Sequence, residues 1–110
     1  QSDTQKVWKL WHQQVAIELY RRSEQVRQKF LAGPQLACQI SYKVTIDGEI
    51  ENARILRKSK NILFDSGVLE VVNSMKGSSI LKFPSGSTIT SVEKTSCFTG
   101  GQIRNAIPCT

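Results

Sequence analysis

The chain has one histidine, one methionine and three prolines in 110 residues, and its apolar stretches are short. None approaches the run of about 18 apolar residues that a membrane-crossing helix needs. Acid–base and nucleophilic sites require titratable groups that converge, and a lone histidine offers little for either. There is no G-x-S-x-G, H-E-x-x-H, P-loop or dinucleotide-binding pattern. The three cysteines, Cys38, Cys97 and Cys109, show no C-x-x-C spacing and lie far in sequence from His12, which argues against zinc. No catalytic residue, metal or cofactor is expected.

Acidic residues are scarce as well: nine Asp and Glu face 15 Lys and Arg, for a net charge of +6. A positive field raises encounter rates with any acidic partner. The basic residues are scattered, however, and Trp8, Trp11, Tyr20 and Tyr42 are too loosely spaced to interleave with them in a single-strand-binding groove. A nucleic-acid-binding module is thus the weakest alternative, and no nucleic acid is expected as partner.

What is present is an ordinary globular composition, 39% hydrophobic and 22% charged. At 12.3 kDa it suits one domain, 1–110, with a thin stability margin that a crosslink would widen. The first residue is Gln1, so the chain reads as a portion of a longer product whose signal peptide or membrane anchor would lie upstream.

Between Val7 and Leu31, Trp8, Trp11, Val15, Leu19, Val26 and Phe30 recur at helical spacing, which predicts one amphipathic helix within 1–33, closed by the Gly33-Pro34 pair. Trp8 and Trp11 stand one turn apart, either as packing under this helix or as an exposed aromatic anchor for a partner. From Cys38 to Ile46 apolar and polar residues alternate, the mark of a half-buried strand. Asp47-Gly48 favours a type I′ hairpin. In the following strand the apolar residues Ile50, Ala53 and Ile55 change parity, which predicts a bulge at Glu51-Asn52.

After Ser59 the period returns to 3.6. Phe64, Val68, Val71, Val72 and Met75 line a second helix that starts between Asn61 and Asp65 and closes at Lys76-Gly77, with Asp65 as a first-turn carboxylate. Thr88–Phe98 forms a third strand, and residues 100–110 an irregular tail. The order helix–strand–strand–helix–strand, with a ββαβ core over 37–99, implies an α+β two-layer sandwich: a three-stranded antiparallel sheet with helices on one face.

The cysteines allow three pairings. Strand parity turns Cys97 away from the face that Cys38 shares with Ile40, which favours Cys97–Cys109, a short loop worth on the order of 3 kcal/mol, with Cys38 a buried hydrophobe.

Taken together, the segment from about Cys38 to Thr99 resembles the C-terminal periplasmic domain of the TonB/TolA family of Gram-negative envelope proteins. The likeness is carried by an alternating strand ending at Asp47-Gly48, the strand Ile50–Leu56, the link at Ser59, the helix start Leu63–Asp65, and Phe83-Pro84 before the last strand. The resemblance implies a non-catalytic protein-binding domain in the periplasm, carried by an inner-membrane-anchored protein. Its implied partners are outer-membrane, periplasmic or imported phage- or colicin-like proteins, docked by strand addition at an open sheet edge. The candidate edge is the last strand, with Ile89, Ser91, Glu93, Lys94, Thr95 and Phe98 as contacts. A structural component of a secretion or conjugation apparatus is the alternative.

Overall fold

A computed structural model describes residues 3–101. It is an α+β sandwich in which strands β1 (Leu36–Thr45), β2 (Ile50–Arg57) and β3 (Ser91–Gly100) form an antiparallel sheet of order β2-β1-β3. Helices α1 (Asp3–Arg22), α2 (Glu24–Gln28) and α3 (Ile62–Ser74) cover one face, as the alternation in the strands requires. Every second residue of β1, from Leu36 to Val44, is buried beneath them.

The helix expected over Val7–Leu31 is interrupted at Ser23. Its hydroxyl donates to the Tyr20 carbonyl at 2.8 Å and accepts from Arg27 Nε at 3.0 Å, competing with the regular backbone pattern. The interruption is shallow, because Ser23 N–H still reaches Leu19 O and Arg27 N–H still reaches Ser23 O. The chain therefore stays in step with its apolar spacing, and Trp11, Val15 and Leu19 are buried with Val26 and Phe30 packed beside them. Single-turn bonds from Lys29 and Phe30 then close the element before Leu31.

The hairpin also differs from expectation. A type I′ turn needs positive φ at both central residues, and only Gly48 has it, at +81°. Gly48 N–H bonds Thr45 O, and Thr45 N–H bonds Glu49 O, so the connection is the three-residue loop Ile46-Asp47-Gly48 ending in a left-handed glycine. Exposure of Ile46 follows, since it sits in the loop rather than in β1.

Along β2 the register slips where Ser41 faces Arg54 and Lys43 faces Glu51, and Asn52 takes φ +55°. The extra residue restores Ala53 and Ile55 to the inner face, as the parity change predicts. Another slip separates the pairs Ile40–Ile55 and Gln39–Arg57, leaving Leu56 outside. In α3, Asn61 caps the first turn by accepting from Phe64 N–H at 3.0 Å, and Phe64, Val68, Val71 and Val72 face the core, with Met75 buried just beyond its end.

Ser79–Leu81 forms a single 3₁₀ turn whose Leu81, with Phe83, plugs the end of the core under α1. Gly101, at φ +74°, lies so close to Pro34 that a Cβ there would stand 2.0 Å from its carbonyl oxygen, and this close approach ties the end of β3 to the start of β1. Among the described residues no helix is long and apolar enough to cross a membrane.

Candidate functional site

The sheet has two edges of different character. β2 carries two slips and a left-handed residue, devices that disturb the row of backbone groups an incoming strand would need. β3 pairs with β1 without a slip over ten residues, from Leu36–Gly100 to Thr45–Ser91. No described strand covers its other side.

Which backbone groups of β3 face outward follows from the register. Ile46 N–H donates to Thr90 O at 2.9 Å, and this pair continues the β1–β3 alignment. Bonded and non-bonded pairs alternate in an antiparallel ladder. The residues bonded to β1 are then Val92, Lys94, Ser96 and Phe98, while the amides and carbonyls of Ser91, Glu93, Thr95 and Thr99 point away from the sheet.

Side chains of the first set point toward the helices. There, β3 and α1 bound a groove of about 300 Å³, with Ala16, Leu19, Tyr20 and Arg27 on the helical side and Lys94 and Ser96 on the strand. This volume sits at the lower limit for small-molecule pockets and accommodates a few side chains of an extended segment. Arg27 lies over the Tyr20 ring at 4.0 Å and donates to Ser23 Oγ and to the Tyr20 carbonyl. Lys94 Nζ lies 2.7 Å from His12 Nδ1 and 5.4 Å from the centre of the Trp11 ring. Burial lowers the pKa of Lys94, and burial first, then the neighbouring Lys94 charge, lowers that of His12. Ser96 Oγ is 3.1 Å from the hydroxyl of Tyr42, whose pKa burial raises.

The six expected edge contacts divide. Ser91, Glu93 and Thr95 lie on the exposed side of the strand, and Lys94 reaches into the groove. Ile89 precedes β3, because the turn in which Ser87 N–H bonds Pro84 O and Ile89 N–H bonds Ser87 Oγ delays the strand until Ser91. Phe98 is only 6% exposed, a core residue that a docking strand does not reach directly.

The tryptophans are not an exposed anchor. Trp11 is 4% exposed and donates from Nε1 to the Leu81 carbonyl at 3.3 Å, while Trp8 is half-buried. Both meet Phe83 edge-to-face, at 5.2 and 5.5 Å between centroids, and hold α1 onto the 3₁₀ turn. Phe83 was visible in the sequence only as a neighbour of Pro84, so this three-ring contact had no local signal.

Cys97 is disulfide-bonded and Cys38 is free and buried. The expected partner, Cys109, lies outside the described residues, as does the tail 102–110. Asp65 is more than a first-turn carboxylate: it is buried, and both its oxygens accept from Ser59 N–H, at 3.1 and 3.2 Å. Among the described residues no His, Cys, Asp or Glu side chains group to hold a metal ion.

The site thus defined is an open strand edge beside a small, cation-bordered groove, a geometry suited to receiving polypeptide backbone. Compared with family models, curated proteins and solved structures, the chain matches none.

Proposed function

We propose that this chain is a non-catalytic protein-binding domain of the TonB/TolA kind, acting in the periplasm, that docks an extended segment of an envelope or imported partner by adding it as a fourth strand beside β3. The observation that carries the reading is the contrast between edges: β3 is regular over ten residues and unpaired by any described strand, whereas β2 is broken by slips. Strand addition draws affinity from backbone bonds and specificity from pockets for alternate side chains, and the groove beside β3 offers such a pocket. The test is selection of displayed random peptides on the chain, followed by counter-screening on a Thr95→Pro variant. Thr95 directs its N–H away from β1, so proline there removes a donor from the edge while sparing the ladder. Selected peptides should lose binding to the variant; peptides that bind both forms equally would overturn the reading.

A second reading, an assembly unit of a secretion or conjugation apparatus, draws on the outer side of α1. Val7, Leu10 and Ile17 there are 46%, 53% and 68% exposed, an apolar line that a neighbouring subunit would cover. Concentration-dependent self-association abolished by Ile17→Glu would favour it over strand docking.

A further inference from the structure

The strand-docking reading does not say what kind of strand enters, and the charges around the groove bear on this. Lys94 stands at the end nearest His12, where its contacts are an imidazole nitrogen and the face of an indole. Arg27, in α2 beyond Ser23, borders the other end, with its bonds directed to Ser23 Oγ and to the carbonyl and hydroxyl of Tyr20. Neither cation meets a carboxylate among these contacts. Of the acidic groups nearest in sequence, Glu18 is held by Arg21 and Arg22, Glu93 points to the opposite face of the sheet, and Glu24, in the first turn of α2, forms no salt bridge with Arg27 among the described residues. Between the two cations the floor is Ala16, Leu19 and the ring of Tyr20.

An added strand keeps the pleat of its neighbour, so its residues beside Lys94, Ser96 and Phe98 send their side chains into the groove, about 7 Å apart. The residue between, beside Ser96, meets the apolar floor. Its neighbours on the same face meet the cations.

Resting on that docking reading, we propose that the groove selects an acidic extended segment of another polypeptide. That segment places a small or medium apolar side chain over Leu19 and Tyr20, and carboxylates on the flanking residues of the same face, toward Lys94 and Arg27.

Three seven-residue peptides test this, alike except at two positions: valine at the centre, threonine elsewhere, and glutamate, glutamine or lysine two residues to either side of the valine. Binding to the ¹⁵N-labelled chain is followed through backbone amide shifts at low and high salt. The glutamate peptide should bind about tenfold more tightly than the glutamine peptide at low salt, with the advantage shrinking as salt screens the pairs. Shifts should centre on Glu93, Thr95 and Thr99. Lys94→Gln should remove much of the advantage by weakening the glutamate peptide more than the glutamine peptide, and Lys94→Glu, which leaves one anion and one cation beside the groove, should leave no preference between the glutamate and lysine peptides. Equal binding of the glutamate and glutamine peptides at β3 would overturn the acidic preference and leave strand docking standing. Peptides that bind without moving the β3 amides would overturn both. Self-association through β3 that excludes all three peptides would replace the foreign segment with a second copy of the chain.

Discussion

Lys94 of the edge strand and His12 of α1 meet at 2.7 Å, Nζ to Nδ1, joining β3 to the helix that walls the groove. The bond requires a neutral imidazole with Nδ1 as acceptor, which leaves the ring proton on Nε2. The other groups facing His12 are the rings of Trp8 and Trp11, and no carboxylate is bonded to it among the described residues.

This contact makes the domain less stable in acid. Burial and the Lys94 charge lower the His12 pKa below its ordinary 6.5, so the folded state binds fewer protons than the unfolded one in that interval. Stability is then complete above about pH 6.5 and falls as the pH drops through the lowered pKa. Urea unfolding at pH 7.5 and 5.5 should show the loss, and His12→Gln should flatten the difference. An imidazole titration by NMR with a midpoint at or above 6.5 would contradict the contact.

Removing the indole that seats α1 should cost far more. Trp11→Ala deletes a buried ring from the contact with Trp8 and Phe83 and orphans its bond to Leu81 O, for an expected loss of about 3–5 kcal/mol in urea unfolding. Trp8→Ala, at a half-buried position without such a bond, should cost less than half of this.

Asn52 reports on the bulge that gives β2 its parity. Its φ of +55° is tolerated by asparagine and glycine and resisted by β-branched residues. Asn52→Gly should change stability by less than about 1 kcal/mol and Asn52→Val should lower it by about 1–2 kcal/mol, both read from urea midpoints. Equal effects would mean that the slip lies elsewhere.

Where the chain's local rules act alone, its pattern translates directly into structure. Alternation from Cys38 to Val44 is the buried face of β1, the shift from Ile50 to Ala53 is a bulge, and Phe64 to Met75 is the inner side of α3. The departures arise where two elements decide together. Ser23 interrupts the helix without disturbing its apolar spacing, so periodicity cannot reveal it. Thr88 and Ile89 have strand-forming character, but the turn after Pro84 places the first β3 residue at Ser91. For the site, the last strand could be named as an edge from its polarity, whereas the inward direction of Lys94 depends on its register opposite Tyr42. The groove depends further on how α1 is seated by Phe83, more than 70 residues away, which no local pattern encodes.

Cys38 should be chemically silent in the native domain. It is fully buried in β1, and burial first, then the Asp65 charge and its hydrogen bond, push the thiol pKa up to about 12. At pH 8 the thiolate fraction is then about a thousandfold below that of an ordinary cysteine, and iodoacetamide labelling slows at least in proportion. Mass spectrometry without reductant should find no label on the native chain and one label after denaturation, on the peptide containing Cys38, provided that Cys97 and Cys109 form the pair expected from strand parity. Three labelled peptides after denaturation, or a single label on the peptide containing Cys109, would show that Cys109 is not the partner of Cys97. Cys38→Ser should separate the two influences on the thiol: it keeps a donor for Asp65 but puts a hydroxyl where an apolar group packs, so a loss of about 1 kcal/mol is expected, against a larger one for Cys38→Asp, which sets a second carboxylate beside the first.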